Sequence, residues 1–186
     1  QLVIDQVPDL PVENILLEPM RRNTAPCIAY ANQRILAKNP RARIVVAPSD
    51  HLIIKEDEFL KVVMEGLEFV ANHNALLTIG IKPSRPETGY GYTQVNDEQI
   101  FDGKYAQVSK VKTFTEKPDL KLARIFLESG DFYWNAGIFF WSADSIDKAF
   151  NKHLPEVYNL FAEGRNLFGT AAEEVFIQKA YEQCRN

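Results

Sequence analysis

A chain of 186 residues, 46% hydrophobic and 25% charged, has the make-up of an ordinary globular domain long enough to bury a core. Its net charge of −4 and pI near 5.5 exclude a protein whose main partner is DNA or RNA, because neutralising phosphates needs a basic surface. No apolar run reaches the roughly eighteen residues of a membrane span, and the opening QLVIDQVPDLPVEN has neither a basic n-region nor an apolar h-region, so no membrane partner is expected.

The chain opens on a strand-like phrase without Met and closes on the helix-like YEQCRN, so it is expected to be a piece of a longer polypeptide. A first strand is predicted at Asn14–Leu17. It leads into EPMRRNTAPCIAYA, where Asn23 or Thr24 reads as an N-cap and Pro26 as a first-turn residue. Ile28, Ala31, Ile35 and Leu36 share one face of a helix over 25–38 that should end by Asn39-Pro40. RIVVA (43–47) is a β-branched strand running into Pro48-Ser49-Asp50-His51. Helical spacing of Phe59, Val62, Val63, Gly66, Leu67 and Val70 then marks a helix over 57–72, and ALLTIGI (75–81) a further strand. Strand, helix, strand, helix, strand reads as βαβ units, and runs apolar on both faces point to a parallel sheet covered on each side.

After Lys82 the pattern changes. Tyr90–Val95 and 105–115 read as strands with Asp97, Asp102 and Gly103 as turn material, an antiparallel insertion. A helix capped by Asp119 stops at Gly130, YWNAGIFFWSA is a strand, and the rest is helical with a break at Gly164–Gly169. The class is α/β, and ligands of such sheets sit at the carboxyl ends of the strands.

Polar residues collect at those ends: Glu18, Asp50 with His51, the ETGYG run from Glu87, Glu116-Lys117, and Asn135 inside an apolar strand. Each also has a plain structural reading as a cap, turn or solvated strand end. Their recurrence at one edge points to a single cleft. Cys27 and Cys184 lack CxxC or metal-type spacing and read as thiols of a reducing compartment, the cytoplasm.

EPMRRNTAP, VVAPSDHLI, PETGYGY, FTEKPD and WNAGIFFW, in that order, resemble the sugar-nucleotide pyrophosphorylases, most closely their mannose-1-phosphate guanylyltransferase (GDP-mannose pyrophosphorylase) branch, over about 15–142. The resemblance implies a nucleotide-diphospho-sugar transferase fold, a Rossmann-like mixed sheet with an antiparallel insertion. The family's first strand and Gly-rich loop (GGxGTRxWPxSR, then PKQ) and its later SIDY-type segment lie outside these residues. Residues 1–186 are therefore expected to be the central part of a catalytic domain, inactive alone. Within it, 15–81 form the nucleotide and metal side, 82–142 the sugar-phosphate side and 143–186 a helical C-terminal part.

The implied reaction is attack of mannose 1-phosphate on the α-phosphorus of GTP, giving GDP-mannose and pyrophosphate. Its nucleophile is already an oxyanion, so catalysis needs in-line positioning and charge neutralisation by Mg²⁺ and cations. By resemblance Asp50 is the Mg²⁺ ligand, while His51, a poor Mg²⁺ ligand, supports its loop. Glu18, Arg22, Asn23, Thr24 and Ser49 are assigned to the nucleotide; Arg21 or Arg22 suits triphosphate oxygens, and a plain surface arginine is the alternative for either. A carboxylate at Glu18 accepts both N1–H and N2–H₂ of guanine and repels the carbonyls of uracil and thymine, a discrimination of ~2–5 kcal/mol. Gly91, Glu116 and Asn135 are assigned to the sugar and Lys117 to the sugar phosphate as a catalytic cation. Tyr90, Tyr92, Trp134 and Trp141 fit a stacking platform or core, with Trp141 read as core. The partners are GTP and mannose 1-phosphate, with a homodimer open. Two alternatives stand beside this reading: another hexose-1-phosphate nucleotidyltransferase, or a non-catalytic sugar-nucleotide-binding homologue.

Overall fold

The computed structural model describes residues 1–184. In chain order the elements are α1 (Leu2–Gln6), a 3₁₀ turn (Val12–Asn14), α2 (Thr24–Lys38), β1 (Arg43–Val46), α3 (Glu56–Asn72), β2 (Leu77–Ile81), β3 (Tyr92–Asp102), β4 (Gln107–Thr115), α4 (Leu120–Ser129), β5 (Phe132–Ser142), α5 (Ala143–His153), α6 (Pro155–Ala162) and α7 (Glu173–Gln183). They fall into two units: a sheet unit, Arg43–Ser142, and a helical unit made of Gln1–Ala42 with the chain from Ala143 onward.

In the sheet unit β5 is the hub. Val45 and Val46 of β1 register with Phe140 and Phe139, and Leu77 and Thr78 of β2 register with the same two residues, which places β1 and β2 on opposite edges of β5. Tyr92 of β3 registers with Trp134, and β4 continues from β3 through Tyr92↔Thr115. Each of these ladders is antiparallel. β1 and β2 run parallel to one another, yet β5 lies between them in the opposite sense. The parallel βαβ pairing expected for RIVVA and ALLTIGI is thus corrected: apolar runs report covered faces, not the direction of the neighbouring strand. The antiparallel excursion is present as β3–β4, although β3 runs on through position 97, where a turn was expected.

Two apolar clusters fill this unit. Phe69 and Val70 of α3 meet Ile138 and Phe140, and Ala123 and Phe126 of α4 meet Tyr92, Phe132 and Trp134. Burial of each large side chain contributes ~1.5–3 kcal/mol. Trp141 is buried, as its strand position predicted. α4 begins and ends as its sequence reads: Asp119 Oδ1 accepts from Leu122 N at 2.8 Å, and Gly130 closes it at φ 80°.

The helical unit is held by aromatic rings. Phe161 and Tyr181, both fully buried, meet edge to face at 5.6 Å, and Tyr30 touches Phe168 and Tyr181. Buried Glu173 accepts from Tyr30 Oη and Gly169 N and pairs with Arg34, so its charge is compensated. Two expectations fail here. The opening phrase is the helix α1, and 14–17 is a 3₁₀ turn followed by irregular chain with Leu17 exposed. A strand requires a partner ladder, and Pro11 and Pro19 bracket this segment. Among the described residues no helix is long and apolar enough to cross a membrane, and Cys27 and Cys184 are free thiols.

Candidate functional site

The start of β3, the end of β4 and an interior position of β5 bring Gly91, Glu116 and Asn135 together. Asn135 N donates to Gly91 O at 2.8 Å, and a Cβ placed on Gly91 would lie 2.8 Å from Glu116 Oε2. A side chain at Gly91 would therefore displace the Glu116 carboxylate from its present place. Glu116 forms an exposed pair with Lys117 at 3.6 Å, a geometry that leaves both groups open to a ligand. Lys117 has φ 43°, the left-handed region that a non-glycine residue seldom holds, and such backbone strain concentrates at functional positions.

Asn135 sits at a bulge. Between Gly80↔Asn135 and Thr78↔Phe139, β2 advances two residues while β5 advances four, and Gly137 absorbs the excess at φ 69°. The amide oxygen of Asn135 accepts from Gly137 N at 3.1 Å and from Thr78 Oγ1 at 2.9 Å. A Cβ on Gly137 would stand 3.5 Å from Pro48 Cγ, so the root of the Pro48-Ser49-Asp50-His51 loop lies beside this bulge. Ser49 and Asp50 form the turn after β1, and both are exposed.

Glu87 organises the loop before β3. Its carboxylate accepts from Thr88 N and Gly89 N and pairs with Arg85, and these contacts, the Gly89 N–H foremost, hold its carboxyl below the usual range. Glu87 N donates to Tyr92 Oη at 2.9 Å, tying the loop to the apolar cluster. Arg85 lies over Trp134 and Tyr90 meets its edge, so Trp134 is part of the core and Tyr90 is an exposed ring above it.

In the helical unit Glu18, Arg22, Asn23 and Thr24 form a second group. Glu18 Oε1 accepts from Tyr181 Oη at 2.9 Å across 163 positions of sequence, and Arg22 Nε donates to the carbonyl of the same Tyr181 at 3.3 Å. Burial, then the Glu18 carboxylate, pushes the Tyr181 hydroxyl far above its ordinary value, so it stays protonated and donating. Burial and Glu18 also push the Cys27 thiol up. Asn23 is the N-cap residue of α2, but its side chain accepts no capping bond. Pro26, at the third helical position, has no N–H and so removes one of the two amides that such a cap can bond. Asn23 and Thr24 keep exposed side chains at a helix N-terminus, where the amides favour anions.

Of the residues singled out in the sequence, Gly91, Glu116, Lys117 and Asn135 adjoin one another, with Ser49 and Asp50 on the loop rooted at the same bulge. Thr78, Gly137 and Tyr181 went unnoticed there. A Gly inside an apolar strand is a visible bulge signal, whereas Thr78 and Tyr181 carry none.

The sheet unit thus gathers a carboxylate, an amide and a lysine, Glu116, Asn135 and Lys117, around Gly91. Residues 4–168 match the Nucleotidyl transferase family, and the chain belongs to it. Mannose-1-phosphate guanylyltransferase of Escherichia coli is 37% identical over 81% of this chain and 32% of its own length, and that of Sinorhizobium fredii 38% identical over 97% and 34%. The Pseudomonas aeruginosa alginate biosynthesis protein AlgA is 36% identical over 81% and 31%. The chain thus spans about a third of the length of these curated relatives. A crystal structure described as mannose-1-phosphate geranyltransferase from Thermus thermophilus superposes with TM-score 0.72 at 28% identity, covering 88% of this chain and 45% of that one.

Proposed function

We propose that this protein forms GDP-mannose and pyrophosphate from GTP and mannose 1-phosphate by in-line attack on the α-phosphorus. The observation that carries the reading is the meeting of Gly91, Glu116 and Asn135, whose carboxylate and amide suit neighbouring sugar hydroxyls. The names of the relatives support mannose 1-phosphate and GTP as the substrates. Lys117 neutralises the sugar phosphate, which serves as nucleophile without a general base. Glu18 reads guanine: Tyr181 takes one lone pair of Oε1, and the remaining acceptor sites face the paired donors of the base.

Mg²⁺ suits Asp50, an exposed carboxylate, in the manner of an ion held by one carboxylate and substrate phosphates; among the described residues no group of three His, Cys, Asp or Glu side chains forms an all-protein cage. When bound, the ion supplies charge neutralisation at the phosphates. The free thiols Cys27 and Cys184 support a cytoplasmic setting.

Pyrophosphate release by the full-length protein tests the reading, with GTP, UTP and dTTP each offered mannose 1-phosphate or glucose 1-phosphate. GTP with mannose 1-phosphate should be preferred in kcat/KM by at least ~10²-fold, and Glu18→Gln should reduce the GTP preference by about tenfold or more. Equal use of UTP, or of glucose 1-phosphate, overturns it.

A further inference from the structure

We propose that Thr78 is a positioning residue for the sugar, acting through Asn135; the inference rests on the sugar-site reading given above. Two ways of placing the Asn135 amide are open in principle, and its neighbours choose between them. Gly137 N lies 3.1 Å from Oδ1 and is a donor by chemistry, so turning the amide over would set its NH₂ against another N–H. The oxygen therefore faces Gly137. Thr78 Oγ1 is 2.9 Å from that oxygen and 3.2 Å from Ile138 O, and its single proton goes to the nearer acceptor, Asn135. With both lone pairs of Oδ1 taken, Asn135 offers a ligand its two N–H donors alone.

This defines the chemistry of the subsite. Asn135 gives donors, and Glu116, beside Gly91, gives acceptors. The pair matches a sugar with two neighbouring hydroxyls, one accepting from Asn135 and the other donating to Glu116. Thr78 touches no substrate in this arrangement. It holds the amide against rotation, from a β2 position whose backbone registers with Phe139 on the far side of the bulge.

Thr78→Val in the full-length protein removes the hydroxyl while keeping shape. The KM for mannose 1-phosphate should rise about 5–10-fold, the worth of one oriented hydrogen bond, with the KM for GTP within twofold of wild type. Thr78→Ser, which keeps the hydroxyl, should restore the value to within twofold, and it serves as the reporter if the valine variant fails to fold: its KM for mannose 1-phosphate must then stay near wild type while Thr78→Ala raises it. An unchanged KM in Thr78→Val, an equal rise for both substrates, or failure of Ser to rescue overturns the positioning role. Asn135→Ala separates the two levels of the argument. If it leaves the KM for mannose 1-phosphate unchanged, the sugar-site reading itself falls; if it raises that KM while Thr78→Val does not, only the role of Thr78 falls.

Discussion

Replacing Gly91 by Ala tests whether Glu116 works at a substrate or merely ends a strand. The new Cβ would stand 2.8 Å from Glu116 Oε2, and 2.9 and 3.1 Å from two atoms of the Phe114 ring, so both neighbours must retreat by several tenths of an ångström. They are able to. Phe114 is half exposed, the Glu116 side chain is 58% exposed, and Gly91 does not hold a left-handed φ that alanine would resist. Stability should fall by less than the ~1–3 kcal/mol of overpacking in a closed core. Catalysis has no such slack, because a misplacement of about 1 Å at a reacting site costs on the order of 10²-fold. A shift of roughly half that predicts a loss of ~10–100-fold in kcat/KM for mannose 1-phosphate, or about 1.4–2.7 kcal/mol, with the KM for GTP unchanged. Pyrophosphate release at varied mannose 1-phosphate, alongside a thermal melt, measures both quantities. Wild-type kcat/KM in a folded Gly91→Ala protein would refute a substrate role for Glu116. A fall of Tm by many degrees would refute the claim that its exposed neighbours yield.

Asp50→Asn should lower turnover by ~10²-fold or more while leaving the melt unchanged, because the side chain is exposed; full activity, or activity indifferent to EDTA, counts against the metal role. Gly137→Ala should destabilise by ~1–2 kcal/mol through backbone strain at φ 69°, since its Cβ would meet Pro48 at an ordinary 3.5 Å; an unchanged denaturation midpoint means the bulge relaxes. Glu87 has a folded pKa below its unfolded one, so its hold on the loop is complete above the unfolded value of about 4.3 and is lost as pH falls through the folded value. Tryptophan fluorescence, reporting Trp134 beneath Arg85, should therefore change on acidification in wild type and much less in Glu87→Gln; equal changes dismiss the carboxylate as the cause.

Local order was legible along the chain. The helices α2, α3 and α4 lie where periodicity and end signals put them, because Asp119, Gly130 and an apolar stripe act within a turn or two of backbone. The runs PSDH, TGYG, EKP and WN could be picked out for a similar reason, since each is short and its residue types are read without knowing a distant partner. Partnership was not. Strand direction around β5, the failure of 14–17 to become a strand, the clasp of Thr78 on Asn135 and the hold of Tyr181 on Glu18 each join residues distant in sequence. A hydroxyl or a β-branched run reads the same whether its partner is water or a residue 163 positions away. Only the folded chain brings that partner within the ~3 Å at which a hydrogen bond forms.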